Sequence, residues 1–149
     1  SGKPLTGGSE CLGVWRIDGL ASIAGTPRRW SIVLKGWSGE TTGDPPTAWN
    51  WPLREVELYR SGMLGGLPGG IRAPRFYGDL KREDGSIWLW LEDITDGVQG
   101  PWPVERYATV ARQLGQFNGA WLVERPLPDA AFLSRHCLRE WTELSAPAF

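Results

Sequence analysis

Apolar and polar positions follow two different periods along the chain. In "CLGVWRIDGLAS" (11–22), Leu12, Val14 and Ile17 stand among polar neighbours, which predicts a strand. The turn "AGTPRR" leads to a second strand, "WSIVLKGW" (30–37), so the two predict an antiparallel hairpin. "SGETTGDPPT" (38–47) reads as a loop. "NWPLREVELYRSGML" (50–64) predicts a helix, with Asn50 as N-cap, Pro52 in the first turn, and Gly65 and Gly66 at its end. Beyond the Pro/Gly-rich "GLPGGIRAPR", residues 75–94 predict another hairpin that turns at Asp84-Gly85. Its second strand is apolar on both faces, with Ile87, Leu89 and Leu91 on one and Trp88 and Trp90 on the other. Such a strand is expected to be central and covered on both sides.

The period changes after residue 103. In "VERYATVARQLGQFNGAWL" (104–122), Val104, Tyr107, Ala111, Leu114 and Trp121 recur at three- and four-residue spacings, one face of an amphipathic helix. A last helix is predicted over 129–144, with Asp129 as its cap. The class is therefore α+β. A strand-rich part (1–94) is joined by a linker (95–103) to a helical part (104–149).

Composition narrows the function classes. Sixteen Lys and Arg against 17 Asp and Glu leave a net charge of -1, so no basic surplus points to nucleic acid or to anionic lipid. No apolar stretch is long enough to span a bilayer. "SGKPLTGGSE" lacks the apolar core of a signal peptide, and the expected location is cytoplasmic. Cys11 and Cys137 lie far apart and read as free thiols, with one disulfide still open to them. With one histidine, His136, there is little material for zinc sites or for Ser-His and Cys-His catalysis. Of the ten tryptophans, Trp88, Trp90 and Trp121 fall in periodic apolar segments and read as core. Trp37, Trp49, Trp51 and Trp102 lie near loops or a helix start and stay open to stacking on a ligand.

Lys35 ends the apolar run 31–34. A strand end is a natural place for a solvated lysine, and a buried ammonium is costly without a partner. The order of motifs around it supplies a partner. "TGGSE" precedes the first predicted strand, Lys35 ends the next, Glu55 lies on the helix that follows, and a hairpin runs into "LEDITDG" before a long helix. With "GGS", "IVLK", "REVELYRSGML", "RAPRFYG", "WLEDITDG" and "ARQLGQFNGAWL" in this order over residues 6 to 122, the chain resembles the aminoglycoside phosphotransferase family of small-molecule kinases.

The resemblance implies a protein-kinase-like N-lobe, an antiparallel sheet plus one helix, followed by a hinge and the first C-lobe helices. It implies that Lys35 contacts the ATP α- and β-phosphates and that Glu55 holds it, both as catalytic residues. A point-like ammonium can follow phosphate oxygens, and a carboxylate keeps it aimed. Gly7, Gly8 and Ser9 would form the turn over the phosphates, where glycine lets backbone N–H groups come close to oxygens. The protein-kinase G-x-G-x-x-G pattern is absent, since only Gly7, Gly8 and Gly13 are present, and Ser9 fits a serine-containing loop instead. The Glu92 carbonyl and the Ile94 N–H would hold adenine, with Leu91 as gatekeeper. The implied partners are ATP, Mg2+ in the full-length parent, and a small molecule that offers a hydroxyl.

The phosphoryl-transfer template also needs a catalytic-loop aspartate and metal-binding Asn and Asp residues. No "HGD" or "HRD" loop occurs, and nothing after Trp121 resembles a metal-binding "DFG" or "DxD". The expectation is a fragment that holds the ATP-binding part, with a short or absent first strand. The helix face with Tyr107, Leu114 and Trp121 should be partly bare, and open to self-association, or covered by the helix 129–144. Two other classes fit parts of the chain. One is a non-catalytic nucleotide- or partner-binding module; the other is a tryptophan-rich carbohydrate-binding domain.

Overall fold

A two-residue turn at Ala24 and Gly25 sets up the longest hairpin of the protein. Both residues have positive φ, 49° and 78°, the combination that matches the twist of paired strands. It joins β2 (Cys11–Ile23) to β3 (Thr26–Trp37), which is longer than the predicted 30–37 because pairing runs down to Ile23 opposite Thr26. Pro27 is tolerated there because that end of β3 has β2 as its sole ladder neighbour among the described residues. The computed structural model describes residues 2–5, 11–38, 45–94 and 100–145.

The second hairpin is β4 (Phe76–Lys81) and β5 (Ile87–Glu92), reversing through Asp84 and Gly85 as the sequence predicts. Ser86 donates from both its N–H and its hydroxyl to the Asp84 carboxylate, which holds the turn. A four-residue strand, β1 (Gly2–Leu5), pairs with β2 at the sheet edge, so the first strand is short but present. The described strands make one antiparallel sheet in the order β1-β2-β3-β5-β4. They form no two-sheet sandwich.

Pairing register decides which side chains share a face. Val33, Lys35 and Trp37 of β3 stand opposite Leu91, Leu89 and Ile87 of β5. The helix α1 (Arg54–Arg60) lies on this face and inserts Val56. Trp37, Val56, Ile87, Leu89 and Leu91 form the buried core, flanked by Leu53, Tyr59 and Phe76. Val56 and Leu89 are fully buried; each contributes about 1.5–3 kcal/mol by leaving water. The opposite face is less covered than expected. Trp88 and Trp90 are only half-buried, and Trp88 stacks on Trp15 at 5.2 Å. β5 is thus fully buried on one face and screened by neighbouring indoles on the other.

Two helices are shorter than the periodicity predicts. The first spans Arg54–Arg60 and not 50–64; Leu53, not Asn50, is at its N-cap, with no side-chain cap bond. Pro52 disfavours helical geometry at Trp51, so residues 45–53 form turns. Gly62, with φ 74°, ends it before Gly65 and Gly66, which sit in a short 3₁₀ turn, Met63–Gly66. The predicted helix 129–144 reduces to α3 (Cys137–Ser145). Asp129 does not cap it; its carboxylate lies 3.1 Å from Arg135 instead, and Ala130–Leu133 turns before the helix starts.

The long helix α2 (Val104–Gly119) continues into a π-helical turn, Ala120–Glu124. Its apolar side is bare: Val104, Tyr107, Val110 and Leu114 are exposed, and no residue of α2 is buried. The loop at Gly69 runs so close to α2 that a Cβ there would lie 2.6 Å from the Gln113 carbonyl, which requires glycine. Among the described residues no helix is long and apolar enough to cross a membrane.

Candidate functional site

Strand alternation places Lys35 on the helix-bearing face of the sheet and not in bulk water. It stands between Val14 of β2 and Leu89 of β5 in the ladder. Trp37, two residues on, shares that face, and the Lys35 ammonium lies 5.1 Å from its ring centroid. Glu55 immediately precedes Val56, which points into the core. The Glu55 carboxylate therefore emerges at the rim of that contact, where Lys35 Nζ donates to Oε2. Both side chains are partly exposed, 26 % and 36 %, so the pair faces solvent on one side. Such an ammonium can still reach an anion laid along the sheet face.

Neighbouring groups respond to this placement. Tyr59 is four residues from Glu55 on α1; burial first, and the Glu55 charge second, push its phenol pKa up. Glu57 turns away to Arg60 at 3.0 Å, so the two glutamates of α1 have separate partners. Arg60 also donates to Asp79 of β4, with Nε at 3.2 Å, which fastens the far end of α1 to the sheet.

The predicted hinge residues divide. Leu91 is buried on the Lys35 face and belongs to the core around Val56. Glu92 is paired with Ile32, on the opposite face. Its carboxylate accepts two bonds from the Arg72 guanidinium, at 2.5 and 3.1 Å, and one from the Arg75 N–H at 3.0 Å. These donors, Arg72 foremost, pull its pKa down to about 2. The Asp93 side chain is 8 % exposed and lies 2.6 Å from Arg16 of β2. Ile94 follows, exposed, beyond the last strand residue. Gly7, Gly8 and Ser9 lie outside the described residues, as does most of the linker 95–103.

Some predicted roles change, and others were missed. Gly13 sits at a bulge in β2 with φ 155°, where a Cβ would lie 2.5 Å from the Trp15 ring; it makes room for an indole. Both cysteines are free, Cys11 half-buried and Cys137 exposed. His136 is exposed and has no assigned role. Trp37 beneath Lys35, Arg72 on Glu92 and Arg16 on Asp93 were not foreseen. Each pair except Lys35–Trp37 joins residues 20 or more apart, which no local spacing announces. No group of three or more His, Cys, Asp or Glu among the described residues is arranged to hold a metal ion.

Comparison with protein-family models, with curated proteins and with solved structures finds no match for this chain.

Proposed function

We propose that this chain is the ATP-binding part of a kinase-like phosphotransferase that transfers the γ-phosphate to a hydroxyl of a small molecule. The observation that carries the reading is the ion pair between Lys35, on the third strand, and Glu55, on the helix that follows it. A lysine–glutamate pair in this position is the part of a kinase that holds the α- and β-phosphates. The single antiparallel sheet, the one helix on its Lys35 face, and the passage from β5 through Leu91–Ile94 toward α2 support the same reading.

In this reading Lys35 neutralises phosphate charge while Glu55 and the Trp37 ring keep its ammonium from swinging away. Val14 and Leu89 flank it and give the nucleotide a partly apolar surface to lie against. The Glu92 carbonyl and Ile94 N–H take adenine, and Gly7, Gly8 and Ser9 cover the phosphates. Mg2+ bound with the nucleotide would offset phosphate charge, and no acidic cluster among the described residues is arranged to hold it. The catalytic-loop aspartate and the metal-binding carboxylates must come from elsewhere in the parent, because no motif in these 149 residues supplies them.

The test is nucleotide binding by calorimetry. MgATP should bind residues 1–149 weakly. Lys35→Ala should lower that affinity at least about tenfold, the order of one charge-assisted phosphate contact. No phosphorylation of any small molecule should occur with this chain alone. An oligosaccharide that binds while MgATP does not would refute the reading in favour of carbohydrate binding.

A further inference from the structure

Arg54 donates hydrogen bonds to four backbone carbonyls beside the Lys35–Glu55 pair. Nε donates to Phe132 at 2.5 Å and Nη1 to Trp49 at 2.5 Å. Nη2 donates to Ala48, and to Pro46 at 3.4 Å. The guanidinium fork thus joins the turn that enters α1 to a segment 78 residues further on. A second bond runs parallel: the Trp49 N–H donates to the Glu140 carboxylate at 3.2 Å. The start of α1 is moored to residues 132–140 from two points.

This mooring bears on Glu55 for a physical reason. α1 has seven residues and no side-chain N-cap. A helix that short has no stability of its own, and its position is set by tertiary contacts. Val56 fixes its depth in the core, and Arg60 fixes its far end on Asp79. Val56 also sets which way the helix faces, but neither contact keeps the uncapped first turn from fraying. Glu55 follows Arg54 directly, about 100° round the helix. While Arg54 is held, the first turn stays wound and Glu55 stays within reach of Lys35.

We propose that Arg54 is the positioning residue of the Lys35–Glu55 pair, so that the segment around Phe132 controls whether that pair forms. For its consequence in ligand binding, this rests on the nucleotide-site reading above; for the pair itself it does not. Loosening the segment 132–140 releases Arg54, lets the uncapped first turn of α1 fray, and leaves Lys35 without its carboxylate.

The experiment reads Lys35 directly. The chain has three lysines, Lys3, Lys35 and Lys81, so its ε-methylene signals are resolvable by 13C NMR and assignable with Lys35→Arg. In Arg54→Gln the Lys35 signal should move to the position it takes in Glu55→Gln. Arg54→Lys, with one ammonium for four carbonyls, should move it part of the way, and it serves alone if the glutamine variant does not fold. A Lys35 signal that stays at the wild-type position in folded Arg54 variants overturns the proposal, because a merely structural loosening of residues 45–53 leaves that signal in place. MgATP titration separates the two readings. Arg54→Gln should lower affinity about tenfold in the wild-type background and less than about twofold in Glu55→Gln, where nothing remains to position. Equal losses in both backgrounds also overturn it. A moved Lys35 signal in a chain that never binds MgATP upholds the positioning and refutes the nucleotide reading.

Discussion

The Trp37 ring lies under the Lys35 ammonium, with 5.1 Å between centroid and Nζ. Period two puts both residues on one face of β3, and the register with β5 sets Trp37 against Ile87 in the core. The indole therefore does two things at once. It closes the sheet–helix core, and its face offers an attractive surface to the cation.

The two effects separate by mutation. Trp37→Leu removes much of a buried ring and should cost about 2–4 kcal/mol of unfolding free energy, in the range for large-to-small core changes. Lys35→Ala breaks a half-exposed pair and should cost about 1 kcal/mol or less. Urea unfolding followed by circular dichroism distinguishes them. Equal losses would show that the lysine, too, is chiefly a packing residue.

Glu92 makes the protein sensitive to acid. Its folded pKa lies near 2, against an ordinary value of 4.5. A depressed carboxylate contributes stability that is fully present above pH 4.5 and fades as pH falls from 4.5 toward 2. Glu92→Gln should flatten that part of the stability profile, with its full loss at pH 7 and little difference from wild type near pH 2. The group is at the surface, so added salt should shrink the difference between wild type and variant. Urea midpoints between pH 2 and 6 check both statements.

Gly13 and Gly25 both have positive φ but different surroundings. Gly25, φ 78°, has nothing within 4 Å of where a Cβ would lie; Gly25→Ala meets backbone strain alone, about 1–2 kcal/mol. At Gly13 the added carbon would lie 2.5 Å from the Trp15 ring, which is itself stacked on Trp88. Gly13→Ala should therefore cost more than Gly25→Ala and should disturb the near-ultraviolet tryptophan signal. Matching midpoints for the two variants would show that the Trp15 ring moves aside freely.

The bare side of α2 should be visible in solution. Tyr107, Val110 and Leu114 are 58 %, 43 % and 51 % exposed. An apolar face of this kind should bind an apolar dye in the native state and promote concentration-dependent association in sedimentation. Val110→Lys with Leu114→Lys should suppress both while unfolding within about 0.5 kcal/mol of wild type. Dye binding that persists in the double variant would place the sticky surface elsewhere, with Leu20, Ile23 and Trp30 on the β2–β3 hairpin the next exposed apolar group.

Local pattern alone determined β2, β4, β5 and the second half of β3, the Asp84-Gly85 reversal, the amphipathic character of 104–119, and the sequence order in which Lys35 precedes Glu55. These are properties of alternation, periodicity and turn chemistry over a few residues, and the chain expresses them wherever it folds. Tertiary structure decided the rest. Pairing with β5 chose the face for Lys35, and one residue of slip would have turned it to the Trp88 side. Arg54 bound four carbonyls in place of continuing a helix back to Asn50, and Asp129 took Arg135 in place of a cap. Glu92 found Arg72 twenty residues away. Arg54 reached Phe132 and Glu92 reached Arg72 across the fold, where bond geometry outweighs the few tenths of a kcal/mol by which local propensities differ; the exposed Asp129–Arg135 pair is local.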